Sequence, residues 1–396
     1  MERNILTAFV REHLNEDPVK LLLQQQRYPH IDLREVAQQL EGKKQALTKW
    51  PTLALFEEFI YPPKLNREQS SSEATARYKA NIFQGKSLAD LTGGMGIDSF
   101  FFAQKCEIVN YVEQQTALFN TTRNNFLSLG TKNITCHCND SIKWIKGEQY
   151  FDLIYIDPAR RDSQGHKVSA FEECTPNLLE NREMLLGHCH RLMVKASPMI
   201  DVNLATQQLK SVEEIHIVAV GNECKEVLFI LQKSNQPTAL EKIPIHCINL
   251  HNSGEVQYSN VFTKEDESVT QAQYCSEIGR YLYEPHSALM KGGCYNSICN
   301  WYGIEKLARN THLYTSDKLI ETFPGRRFEV LQELSLNKKS IAQVLPEKQA
   351  HVIERNFPMT ATDLQRKLGL KEGGTLFVVA ATMNCKRMGW LCRVDF

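Results

Sequence analysis

No run of apolar residues in this 396-residue chain approaches the roughly 20 that a membrane-spanning helix needs. Charge of one sign is not in excess either: Lys plus Arg and Asp plus Glu both number 46, so overall charge gives no argument for a nucleic-acid partner. None of the 12 cysteines falls in a Cys-x-x-Cys pair. Cys294 and Cys299, with Cys275 and His286 nearby, are poorly spaced for zinc, and no metal is expected. Scattered thiols without a signal-peptide pattern lead us to expect a soluble, cytoplasmic protein with reduced cysteines and no membrane partner. A strict G-x-G-x-x-G is also missing, which argues against a dinucleotide-binding dehydrogenase.

The stretch Leu-Ala-Asp-Leu-Thr-Gly-Gly-Met-Gly-Ile-Asp, residues 88 to 98, is what the chain has instead. It reads as a short buried strand ending at Asp90, a glycine-rich turn, and the start of a helix. Glycines remove side chains where the backbone turns sharply and a ligand must come close. A helix start adds unpaired N–H groups and the positive end of a dipole. Three further stretches read as strands that end in acids: Glu113 after residues 108–112, Asp140 after 133–139, and Asp157 after 151–156. Glu113 lies 23 residues beyond Asp90, a spacing that suits the two hydroxyls of a ribose. In a parallel sheet all four acids fall at the carboxyl edge, where open α/β sheets bind their ligands.

With these residues in view, the chain over about 66–235 resembles the class I S-adenosylmethionine-dependent methyltransferases. The resemblance implies an α/β fold with a Rossmann-like seven-stranded sheet. It implies S-adenosyl-L-methionine as cofactor, with Asp90, Thr92, Gly94 and Gly96 in the first motif, Glu113 on the ribose and Asp140 beside the adenine. The segment Glu68–Phe83 corresponds to one that contacts the methionine end, which makes Gln69, Ser71 and Ser72 candidates. From the residues themselves, three serines precede a helix that starts near Glu73, with Ser70 and Glu73 spaced as a capping box. Two later apolar runs, joined around Gly221-Asn222, read as a closing hairpin, a feature of this methyltransferase class.

Asp157-Pro158-Ala159-Arg160-Arg161 stands where the family places its catalytic loop. Methylating a planar amine needs an acceptor for its N–H and a surface to fix the base. Asp157 and Pro158 are retained from the amine-methylating pattern, but alanine and arginine replace the second proline and the aromatic. Asp157, Pro158 and Arg160 are the catalytic candidates. Arg161, and Lys195 after the fifth strand, are candidates for contacting RNA at the same rim.

The flanking regions read as separate units. Residues 1–65 carry apolar residues at helical spacing, with Asp32 as an N-cap, and are expected as a helical domain. Residues 236–315 are expected as a small α+β domain for which a ferredoxin-like fold is one candidate, with helices at about Glu284–Met290 and near Ile304. Residues 316–396 hold 13 basic and 9 acidic residues, against 15 and 18 over 86–235. Arg355 to Gly374 looks like the hallmark stretch of the THUMP-like domain, named for a tRNA-binding module. Arg326, Arg327, Arg355, Arg366 and Lys367 could face phosphates. The reading is therefore a methyltransferase acting on a base of structured RNA, tRNA or rRNA. A methyltransferase of small molecules or proteins, and a non-catalytic RNA-binding protein, are the alternatives. Oligomeric state is not legible.

Overall fold

The computed structural model describes residues 3–83, 85–147, 150–160, 171, 174–234 and 238–394. It forms two compact units: residues 1–221, 225–240 and 250–257 make the first, and 222–224, 241–249 and 258–396 the second.

The first unit is built on strands β1 (Ser87–Asp90), β2 (Ile108–Glu113), β3 (Ile134–Cys138), β4 (Phe151–Ile156), β7 (Cys189–Ala196), β8 (Val212–Val220) and β9 (Glu223–Leu231). Between β4 and β7 lie two short strands, β5 (Ala159–Arg160) and β6 (Cys174–Thr175), paired antiparallel with each other. The large sheet runs β8-β9-β7-β4-β1-β2-β3, and β9 is antiparallel to β7 in an otherwise parallel core. Its central strands are buried on both faces, which explains their near-continuous apolar sequences. Asp152 fixes the register at the start of β4, accepting from the Lys86 and Ser87 amides at 2.7 and 2.9 Å. Gly221 and Asn222 both take positive φ, as a tight hairpin requires.

The strand count corrects the sequence reading. The sheet has nine strands, continuing past β8 through β10 (Ile245–Leu250) and β11 (Val256–Phe262). These two were expected within the α+β unit from 236, and most of their residues, 245–249 and 258–262, do fall in the second compact unit. Their alternation and the turn with Gly254 at φ 90° fit a hairpin anywhere, and local pattern does not tell a strand which sheet to join.

The second unit holds a seven-stranded sheet in the order β13-β14-β12-β15-β18-β17-β16. The strands are β12 (Tyr281–Pro285), β13 (Glu305–Ala308), β14 (Thr311–Ser316), β15 (Gly325–Glu333), β16 (His351–Arg355), β17 (Leu376–Met383) and β18 (Lys386–Arg393). One sheet thus crosses the boundary expected at 316. Helices Lys338–Val344 and Ala361–Leu368 cover one face through Ile341, Leu364 and Leu368, packed on Val378, Ala380 and Leu391. Thr360 caps the second helix, as its position before the apolar stripe suggests. The helix expected from about Glu284 starts three residues later. Residues 281–285 are strand, and the helix runs Ser287–Gly292. The second expected helix is Ser297–Tyr302, ended by Gly303 in the left-handed conformation before Ile304.

His286, at the start of that helix, is fully buried, and neither ring nitrogen has a hydrogen-bond partner among the described residues. Burial pushes its pKa from 6.5 down to about 4. The unfolded chain therefore takes up a proton first as pH falls, so stability is complete above 6.5 and declines toward 4. A group with this shift removes about 3 kcal/mol over that window. His286→Leu is expected to flatten that part of the curve, read as the pH dependence of the thermal midpoint.

Candidate active site

The cofactor-side loop is assembled by hydrogen bonds that the glycines make possible. Gly93 donates to Val112 O at 3.0 Å, and a Cβ on it would sit 2.2 Å from the Tyr111 ring. Gly96 has φ 77°, and its Cβ would lie 2.5 Å from Phe126. Tyr111 and Thr122 donate their hydroxyls to Gly94 O at 2.7 and 3.0 Å, clamping the turn between β1 and the helix Ile97–Phe102. Glu113 accepts from the Gly94 amide at 3.0 Å and the Gln115 amide at 2.7 Å. Each of its oxygens keeps a lone pair for a ligand hydroxyl.

Around this loop lies a cavity of about 560 Å³, within the usual size range of small-molecule sites. Gln69, Ser71, Thr92, Gly94, Gly96, Glu113, Asp140, Asp157, Pro158 and Lys195 all line it, so most of the candidates converge. Two do not. Asp90 is 1 % exposed beneath the loop, where it accepts from Ser99 Oγ at 2.6 Å and the Thr92 amide at 3.1 Å. Burial, reinforced by nearby Asp98, pushes its carboxyl up to about 7. Its place is structural, holding the turn rather than facing the cavity. Ser72 is the N-cap of the helix Glu73–Ile82, accepting from the Thr75 amide at 3.3 Å. The capping box expected of Ser70 and Glu73 is thus displaced, because Glu73 turns away to accept from Thr52 N and Oγ1.

Asp157 sits just past β4 and is held from two sides. Its amide donates to Thr92 Oγ1 at 2.7 Å, and its carboxylate accepts from Lys195 Nζ at 2.5 Å. Lys195 thus lines the cavity wall with its side chain 12 % exposed and paired with Asp157. Of Arg160 only the backbone, in β5, is described, and Arg161 lies outside the described residues.

Beneath the cavity is a charged group that the sequence reading missed. Lys79, fully buried, donates to both oxygens of Glu226 at 2.8 and 2.9 Å and to Ser71 Oγ at 3.1 Å. It also lies 3.2 Å from Asp98 Oδ1, while Asp98 Oδ2 accepts from Ser71 Oγ at 2.7 Å and Tyr155 OH at 3.0 Å. Burial alone would raise the Asp98 carboxyl, but Lys79 and Lys195 outweigh it and hold it below the usual carboxylate range. A lysine within an Ala-rich helix and an acid inside an apolar strand were the signals to find. Phe171, 2 % exposed, adds an apolar wall to the cavity after the catalytic loop.

In the second unit the basic candidates divide. Arg326 and Arg355 converge on the buried carboxylate of Glu284, and Arg327 donates to Glu321 O at 2.9 Å. Arg366 pairs with Asp363 of its own helix at 3.3 Å and, like Lys367, is exposed.

The likeness to a solved structure decides the family. The crystal structure of a "putative methyltransferase" from Porphyromonas gingivalis W83 is 32 % identical, spans 100 % of this chain and 98 % of its own, and superposes with a TM-score of 0.88. The chain belongs to this methyltransferase family. Within this methyltransferase, residues 281–324 match a ferredoxin-like domain and residues 325–394 a THUMP domain-like family. Both matched segments contribute strands to the one seven-stranded sheet. An rRNA methylase from Streptococcus thermophilus is 16 % identical over 40 % of this chain and 93 % of its own, with a TM-score of 0.30. No curated protein matches the chain.

Proposed function

We propose that this methyltransferase uses S-adenosyl-L-methionine and methylates a base of a structured RNA. The observation that carries the proposal is the convergence of Glu113, Asp140 and the glycine loop with Asp157 in one cavity. The donor set fits the cofactor: a carboxylate for two vicinal hydroxyls at Glu113, a second acid at Asp140, and backbone at Gly94 with no side chain in the way. Bound there, the cofactor supplies an electrophilic methyl group on a sulfonium. Asp157 would accept the N–H of the nitrogen to be methylated and turn its lone pair toward that methyl. Phe171 and Pro158 offer the apolar surface that Ala159 and Arg160 do not supply at the usual aromatic position.

Glu113→Gln tests the cofactor site with less damage to the turn than alanine, since the amide keeps one acceptor. Losing the charged acceptor is expected to cost about 1.5–3 kcal/mol of S-adenosylmethionine affinity by calorimetry. Unchanged affinity would mean that the ribose is not held at Glu113.

The proposal gives RNA contact to the THUMP-like region, through Arg366 and Lys367 in particular. Replacing both by glutamine is expected to weaken RNA binding most at low salt, because phosphate contacts release counterions. A filter-binding salt series reads this directly, with cofactor affinity unchanged. One observation favours the alternative of a small-molecule or protein substrate: Arg326 and Arg355 spend charge on Glu284. Superimposable salt curves for wild type and variant would move the reading that way.

A further inference from the structure

Asp157 and Lys195 stand side by side on neighbouring parallel strands. Ile156 of β4 pairs with Val194 of β7, so the next residue of each strand projects at the same edge. The ammonium reaches Asp157 Oδ2 at 2.5 Å, and the side chain is almost enclosed in the cavity wall. The other charged groups acting on it include Glu226 from β9, Asp98 from the helix after the glycine turn and, as a like charge, Lys49. Burial works against the charge of Lys195, but Asp157, Glu226 and Asp98 together overcome it and push its pKa up. The acceptor end of the cavity thus carries a fixed cation, and one oxygen of Asp157 is already taken.

We propose that Lys195 is a positioning residue that presents Oδ1 of Asp157 to the substrate and limits the methyl acceptor to an uncharged nitrogen bearing hydrogen, such as a nucleobase amine. This rests on the reading of the cavity as a methyltransferase site with Asp157 at the acceptor. An alkyl ammonium, with a pKa near 10.4, must lose a proton before it can attack. A carboxylate already bound to a lysine is a poor base for that, and the same lysine repels the incoming cation. A nucleobase amine needs no prior deprotonation. Its lone pair forms the N–C bond as the S–C bond breaks, the electron pair staying on sulfur. The nitrogen then becomes strongly acidic, and its proton passes to Asp157 Oδ1 and on to water.

Full-length Lys195→Met and Lys195→Arg variants test this, with thermal denaturation to establish folding. The first measurement needs no acceptor: calorimetric affinities for S-adenosylmethionine, a cation at sulfur, and S-adenosylhomocysteine, neutral there. With Lys195 removed, the unneutralised Asp157 is expected to shift the affinity ratio about fivefold or more toward the sulfonium. Lys195→Arg should keep the wild-type ratio. An unchanged ratio in Lys195→Met overturns the proposal whether or not an RNA substrate exists. The second measurement is transfer to total cellular RNA and to polylysine. Wild type should label RNA and not polylysine, and Lys195→Met should lose about 100-fold in kcat with little change in KM, partly restored in Lys195→Arg. Labelling of polylysine by wild type, or full kcat in Lys195→Met, also overturns it. If wild type labels neither while the affinity ratio shifts as expected, the RNA reading fails and the placement of Lys195 stands.

Discussion

Asp157→Ala is expected to lower turnover by about 100-fold or more, the usual scale for losing a positioned proton acceptor, while leaving affinity for S-adenosylhomocysteine, neutral at sulfur, nearly intact. The carboxylate lies at the acceptor end of the cavity, and its removal leaves the glycine loop and Glu113 untouched. Two features complicate the alanine variant. Lys195 loses its closest partner, although Glu226 and Asp98 still act on it, and the Thr92 hydroxyl holds only the backbone of residue 157. Asp157→Asn separates these effects, because it keeps shape and one acceptor while giving up the charge. If both variants bind S-adenosylhomocysteine normally and turn over slowly, Asp157 acts on the acceptor. A parallel fall in thermal stability and activity would make it a strand terminator.

The largest effect on stability is expected at Glu226. Lys79 is fully buried, and Glu226 takes two of its hydrogen bonds. Glu226→Leu leaves that ammonium with Asp98 and Ser71 alone, at 3.2 and 3.1 Å. Removing one partner of a buried ion pair costs about 3–5 kcal/mol, because the other charge stays desolvated. Combining it with Lys79→Met should recover much of the loss, since two apolar residues of similar volume strand no charge. Urea denaturation of the single and double variants reads both values. The single variant should also bind cofactor less well, because Ser71 and Asp98 line the cavity and share Lys79. A single variant as stable as wild type would mean that Lys79 escapes to water.

The parts of this molecule legible in sequence are those with local causes. Strands β1, β2 and β4 are largely apolar runs ending near acids, and the backbone needs of Gly94 and Gly96 show as the residues themselves. The caps at Asp32 and Thr360 follow the same logic. Where the outcome depended on partners distant in the chain, the reading fell short. Lys79 and Glu226 are 147 residues apart, and nothing near either says that they meet. Lys195 looked like a rim cation because strand register, not local pattern, brings it to Asp157. Arg326 and Arg355 counted as available charge until Glu284 of β12, the strand beside that of Arg326, proved to hold them both. Asp90 shows the converse: it ends its strand as the sequence suggests, but burial turns its carboxylate toward Ser99 and away from the cavity.

The central claim is transfer of a methyl group to RNA, and one measurement tests it most directly. The full-length protein is incubated with methyl-labelled S-adenosylmethionine and a cell extract, and the label is then followed into separated RNA, protein and small-molecule fractions. The account predicts label in RNA, resistant to protease, sensitive to ribonuclease and absent with Asp157→Ala. Label confined to the protein or small-molecule fraction would contradict it.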